Sequence, residues 1–474
     1  MMTFLVFMLI LAGVEMLARV YERKTVTLTA VSTARASDHA LTRVEAYIRL
    51  AILILFAGLG ALSAFLEASA LIVAILALLF LSLRILVAKL DRTAAQASCL
   101  FRLQQVLKTP EFNSAQMVFF FSAPDLKTPS HVYAWENEIQ AVGAPWFAIV
   151  AEAHHLRAFR QDASVPVVFF HDMAVGPALL PPDVRVVLYA NNGQKNRKLI
   201  ALREDLTHVQ MLHGDSDKPP SYSPLTKNYD LVFVAGQMGI DRYKTHGVDI
   251  PENRFRIVGR PQVRELLDTT EVRPQEIALV SYLPTWRGFY EDTQYSSLDR
   301  VDQIADTVLS CKPPVRFSFK PHPMSYKDPD WLGFLSKAQA VLKRHAARGA
   351  GAEICPNDIS PFDLYKQSDI IICDISSVMI DFLYTGKPIL VVLPERFKES
   401  ERVNFPSLTA CYEVRADLSN LEEQLNAALG EDPMAATRQK VRAYAFGDGN
   451  LPPGEAFKRA CLDAIAGRTE LSGA

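Results

Sequence analysis

His213 stands in the stretch LHGDSDKPPS, directly behind THVQM, which reads as the end of a buried strand. A histidine at a strand exit, with an ordinary pKa near 6.5, is the residue type that accepts a proton at neutral pH. Gly214 behind it is expected to turn the chain sharply and leave the imidazole pointing into a cleft. His171, in FFHDM, has a similar setting. Arg287, in LPTWRGFY, follows a proline that stops a strand, and its fork of donors matches a phosphate or carboxylate. In FSFKPHP two prolines clamp His322, and Lys320 alternates with it on one face of the strand, a pair suited to anionic oxygens. In IIICDISSVMIDFLYTG, Asp374 ends a strand and Ser376 and Ser377 open an apolar helix. Hydroxyls beside free backbone N–H groups at a helix start form an anion site for a diphosphate. Each residue also has an ordinary reading: a loop histidine bonded to a carbonyl, a solvated arginine, a turn, or a serine N-cap contributing about 1 kcal/mol.

The elements that must position these groups are short, β-branched or aromatic runs bounded by turn residues. QMVFFF (116–121), WFAIV (146–150), VPVVFF (165–170), VRVVLY (184–189), HVQML (208–212) and DLVFVA (230–235) form one series. IALVSYL (277–283), VRFSF (315–319), IIIC (370–373) and PILVVL (388–393) form a second, beginning after GRPQ (259–262). Near-continuous apolar runs of this length suit parallel strands covered on both faces. Two successive series predict an α/β protein of two doubly wound, Rossmann-like domains facing a cleft, over 110–265 and 270–470. PGEAFKRACLDAIAG reads as a closing helix. Ligands of such sheets bind at the carboxyl ends of strands, where the chemistry-bearing residues cluster. NDISPFDLYKQSD (357–369) is an acidic, capped helix feeding the last exit, and Gly386-Lys387-Pro388 ends the helix behind it.

The chain has 474 residues with a net charge of −2, which gives no footprint for nucleic acid. Six cysteines stand singly, with no CxxC, so reduced, mostly buried thiols are expected, without a disulfide framework or zinc site. There is no Walker A loop, no GxGxxG and no metal-ligand constellation, and no cofactor is expected.

Residues 1–92 read as a membrane anchor. An uncharged run precedes Glu15, and LAILILFAGLGALSAFL (50–66) and ASALIVAILALLFLSL (68–83) are separated only by Glu67. As one helix the pair would extend roughly 50 Å, against about 30 Å of hydrocarbon. A hairpin turning at Glu67 fits better and spares that carboxylate from lipid. Arg19, Arg23, Lys24, Arg35, Arg43 and Arg49 on one flank, and Arg84, Lys89 and Arg92 on the other, place both basic regions inside. The expectation is about three transmembrane helices in the cell membrane, an amphipathic connector over roughly 90–110, and catalytic domains in the cytoplasm.

The ordered set HGDSDK, YDLVFVAGQMGIDRY (229–243), FRIVGRPQ (255–262), LPTWRG, FKPHP and DLYKQSDIIICDISSVMIDFLYTGKPI resembles the CDP-glycerol glycerophosphotransferase family. These are teichoic-acid primases and polymerases and related capsule-polymer transferases, and the match runs from about residue 185 to 395. The resemblance implies a two-domain glycosyltransferase-B fold. It further implies transfer of glycerol phosphate, or a related polyol phosphate, from a CDP-activated donor to a hydroxyl of a lipid-linked or polymer acceptor, releasing CMP. By motif position His213 resembles the base toward the acceptor and His322 the histidine near the donor phosphates. Ser376 and Ser377 resemble the pair that holds the diphosphate, with Arg287 a supporting cation. From their places at the strand exits, Gly214, Lys320 and Asp374 are also expected to bind substrate. The wording departs from the family's in HGDSDK, where HGTPLK-like is usual, and in DISS for DYSS; Asp215, Ser216 and Asp217 are where a different acceptor is expected. The alternatives are a glycosyltransferase-B enzyme with a nucleotide-sugar donor, and a non-catalytic membrane scaffold of the same fold.

Overall fold

The computed structural model describes residues 58, 70–159, 165–170, 172–263, 266, 277–287, 294–356, 359–447 and 454–467. The chain divides into two compact units, Met1–Ser130 with Trp146–Val184, and His131–Pro145 with Arg185–Ala474.

The first unit carries a helix of 38 residues, α1 (Ala70–Leu107). The second apolar run, 68–83, and the expected connector therefore lie largely in one continuous helix. The first apolar segment and 50–66 lie outside the described residues, residue 58 apart. Among the described residues no helix is long and apolar enough to cross a membrane. Behind α1 come β1 (Met117–Phe121), β2 (Trp146–Val150) and β3 (Val167–Phe169), ordered β3-β2-β1 and parallel. His171 lies outside the described residues.

The second unit contains helix α2, whose range is Ser130–Val142, and the parallel set β4 (Val186–Tyr189), β5 (Thr207–Gln210), β6 (Leu231–Val234) and β7 (Phe255–Ile257). It also carries the parallel six-stranded sheet of β8 (Leu279–Leu283), β9 (Arg316–Phe319), β10 (Ala352–Ile354), β11 (Ile370–Cys373), β12 (Ile389–Val392) and β13 (Tyr412–Val414). Its order is β10-β9-β8-β11-β12-β13.

The runs are unbroken because both faces of this sheet are buried. Ile370, Ile372, Leu390 and Val392 pack in one core cluster, while Ile371, Cys373, Ile389 and Val391 pack in the other. Alternation along the strand sends successive side chains to opposite cores. β7, β10 and β13 are three residues each and were not expected, being too short to show a period. The capped helix appears as α3 (Pro361–Gln367), with Ser360 Oγ accepting from Phe362 N. The helix after Ser376, α4 (Ser377–Leu383), stops at Gly386, whose φ of 73° is left-handed. Lys387 Nζ then donates to the Ser368 carbonyl at 2.6 Å, tying the two helix ends together. The closing helix is α5 (Glu455–Ile465); its Phe457 stacks on Trp135 and meets Phe233 edge-on. All six cysteines are free and buried, as expected.

Candidate active site

The exit of β5 does not turn at Gly214. Leu212 takes the left-handed conformation, with φ of 58°, and Gly214 does not. For a leucine this costs about 1–3 kcal/mol, so the neighbours must hold it. Buried Gln210 does so from the strand, accepting from Leu212 N at 3.0 Å and donating to the Asn191 carbonyl at 2.9 Å. Trp135 Nε1 donates to the Leu212 carbonyl at 2.8 Å from α2. A Cβ at Gly214 would lie 3.6 Å from Ser377 Cβ, an ordinary contact, so the space there does not demand a glycine. The loop that carries His213 thus runs directly past the start of α4.

His213 keeps exposed surface, yet protein packed around the ring, together with the charge of Arg260, lowers its pKa below the ordinary 6.5. Its Nδ1 lies 3.0 Å from the Ala190 carbonyl. A carbonyl only accepts, so Nδ1 bears the proton and Nε2 of the neutral ring is left with its lone pair. His131, one turn before Trp135 on α2, stacks on His213 at 3.9 Å between centroids and 6° between planes. The ring is held in plane by one neighbour and in tautomer by another.

His322 has the opposite tautomer. Its Nδ1 accepts from Met324 N at 3.1 Å, so the neutral ring carries its proton on Nε2. Burial, with Lys218 and Lys327 adding to it, pulls its pKa down to about 4. Trp286 lies over the ring at 6.2 Å.

The remaining expected residues are divided. Ser376 is buried, its Oγ has no hydrogen-bond partner among the described residues, and it does not cap α4. A buried orphan hydroxyl at a strand exit is what a ligand oxygen would satisfy. Since α4 has only seven residues, its dipole adds little, and the hydroxyls of Ser376 and Ser377 carry the expectation. Arg287 is half exposed and already paired, with Asp328 at 2.8 Å and Asp330 at 3.5 Å. Lys320 does not share an anion face with His322: it is buried, with Nζ on the Pro356 carbonyl at 3.0 Å, and pins the end of β9. Asp374 lines no open site either. Its carboxylate accepts from Thr285 N at 2.7 Å and from Ser297 N and Oγ at 3.1 and 2.5 Å, and burial raises its pKa to about 7. It fixes the loop that follows β8.

Asp215 and Asp217, expected to mark a different acceptor, are spent internally. Arg242, on α6 (Gln237–Thr245), holds Asp215 at 2.5 Å and Asp217 at 2.9 Å, all buried. The other oxygen of Asp217 accepts from Ser407 N at 3.3 Å and from its hydroxyl. Arg260 pairs with Asp381 of α4 at 2.7 Å. Lys218, the end of the same HGDSDK stretch, places Nζ 3.4 Å from Thr285 Oγ1 and 5.1 Å from the centre of the Tyr295 ring. None of Arg242, Arg260, Lys218 or His131 stood out in the sequence, although the first three lie in motifs quoted there. His131 gave no signal, because nothing local couples it to His213.

Residues 203–405 match the sequence model of the family described as CDP-Glycerol:Poly(glycerophosphate) glycerophosphotransferase. No curated protein matches the sequence. Among solved structures, the wall teichoic acid polymerase TagF is similar at a TM-score of 0.50 and 14% identity, over 82% of this chain and 96% of that one. A putative UDP-N-acetylglucosamine 2-epimerase from Listeria monocytogenes is similar at a TM-score of 0.51 and 12% identity, over 75% of this chain and 99% of that one. At such identities the likeness is one of fold, and it bears out two parallel-sheet α/β halves.

Proposed function

Residues 203–405 belong to the CDP-glycerol:poly(glycerophosphate) glycerophosphotransferase family, and for this transferase we propose that glycerol phosphate, or a related polyol phosphate, passes from a CDP-activated donor to a hydroxyl of a lipid-linked or polymer acceptor. The observation that carries this reading is the pair of neutral histidines with opposite tautomers, each fixed by a backbone group.

His213 presents a lone pair at Nε2 and takes the proton of the acceptor hydroxyl as its oxygen bonds to the donor's distal phosphorus. The bond from that phosphorus to the bridging oxygen breaks, and CMP leaves with the electron pair. His322 presents an N–H at Nε2 and meets the charge growing on the phosphate oxygens, while the Ser376 and Ser377 hydroxyls supply further donors. The charge-free runs 50–66 and 68–83 support a membrane location for the chain and a lipid-linked acceptor, with the catalytic halves in the cytoplasm.

The test is CMP release by the full chain, purified in detergent, from CDP-glycerol, CDP-ribitol and UDP-sugars with a membrane extract as acceptor. Release from a CDP-polyol is expected, and loss of it in His213→Ala and His322→Ala. Near-normal turnover in both variants, or use of UDP-sugars alone, overturns the reading. Retention of the chain in the membrane pellet through a carbonate wash checks the location.

A further inference from the structure

We infer that Lys218 is a ligand of the donor's phosphates, so that the loop bearing the base also carries part of the donor site. The inference rests on the transferase reading above and adds a residue and a coupling to it.

Lys218 belongs to the loop after β5, but its ammonium sits on the other half of the site. It lies 3.4 Å from Thr285 Oγ1, in the loop that follows β8, and 5.1 Å from the centre of the Tyr295 ring. Its charge is felt at His322. Among the described residues no carboxylate oxygen stands within ion-pair distance of Nζ. The carboxylates on its own loop, Asp215 and Asp217, are turned away onto Arg242. Asp374, across Thr285, is engaged with Thr285 N and Ser297. Among the described residues the other charged groups that act on Lys218 or on His322 are cations: Arg396, which also lies over the Tyr295 ring at 4.6 Å, and Lys327, which acts on His322.

Among the described residues such a lysine is a desolvated cation with Asp374 as its one attractive charge and no direct ion pair, and an anion completes it. Its pKa is pulled down to about 8, by burial first and by Arg396 against the opposing pull of Asp374. An arriving diphosphate reverses that balance and holds the proton on Nζ. Binding of the donor above pH 8 therefore takes up a proton. The orphan hydroxyl of Ser376 and the Nε2 proton of His322 complete a set of donors for anionic oxygens. Because Gly214 runs past Ser377 and Asp217 is bonded to Ser407, the loop is seated on the donor side before any ligand arrives. The base and the donor's charge are thereby set by one short segment.

The experiment is calorimetric titration of the full chain with CDP-glycerol and with CMP at pH 8.5, in two buffers of different ionisation enthalpy, for the wild type, Lys218→Met and Lys218→Arg. The wild type is expected to take up a proton on binding. Lys218→Met is expected to bind at least ten-fold more weakly with no uptake, and Lys218→Arg to bind within a few-fold of the wild type without uptake. Wild-type affinity in Lys218→Met, or no proton uptake by the wild type, overturns the inference. If Lys218→Met does not fold, as judged by thermal melting, proton uptake by the wild type and its loss in Lys218→Arg decide the matter alone. A wild type that binds neither CDP-glycerol nor CMP defeats the transferase reading itself, which is a different result.

Discussion

Two histidines hold opposite tautomers because a backbone carbonyl meets Nδ1 of one and a backbone N–H meets Nδ1 of the other. In sequence His213 read as the proton acceptor and His322 as a partner of anionic oxygens; the tautomers are what the structure adds. The pH profile separates them. His213 must be neutral to accept a proton, so kcat/KM falls as pH drops through its pKa, which burial and Arg260 place below 6.5. Lys218 must be charged to meet the donor, so kcat/KM falls again as pH rises through about 8. The expected profile is a bell with its acid limb below pH 6.5 and its alkaline limb near 8. Steady-state rates of CMP release across pH 5 to 9.5 check it, and an acid limb above 6.5 would remove His213 from the role of base.

At the scale of elements, α2 acts on the site through residues one turn apart. His131 fixes the plane of the His213 ring and Trp135 holds the carbonyl of left-handed Leu212. One hydrogen bond contributes about 1 kcal/mol, or roughly five-fold in rate if all of it acts in the transition state. Trp135→Phe is therefore expected to lower kcat/KM for CMP release about five-fold. Steady-state kinetics test this; a wild-type kcat/KM in the variant contradicts it. Strand exits were legible from apolar runs and their boundaries, since both faces of the sheet are buried. The turn itself was misplaced by two residues, because glycine is the usual left-handed residue and the strain at Leu212 is borne by Gln210 and Trp135, one of them far away in sequence.

For the molecule as a whole, the buried cluster of Arg242, Asp215, Asp217 and Ser407 ties the β5 exit to α6 and to the segment before β13. Removing only the guanidinium leaves two buried carboxylates without a counter-charge, a change of about 3–5 kcal/mol. Arg242→Leu is expected to lower the melting temperature by several degrees at neutral pH, with recovery on adding Asp215→Asn and Asp217→Asn. Thermal unfolding monitored by circular dichroism gives the answer; an unchanged melting temperature in the single variant would mean that the cluster is not holding the loop.

The sequence alone determined the α/β class, most strand positions and the capped helix before β11, and it singled out the histidines and serines of the candidate site, because period, cap residues and motif order are local properties. Tertiary structure decided which of those residues remain open to a ligand. Lys320, Asp374, Asp215 and Asp217 are polar groups at strand exits like the rest, but each finds a partner inside the fold and is spent there. Lys218 is the converse: a lysine unremarkable in HGDSDK becomes a desolvated cation beside His322, because the chain folds its loop across to Thr285. Partner choice at a distance depends on where the backbone carries each group, and no local pattern encodes that.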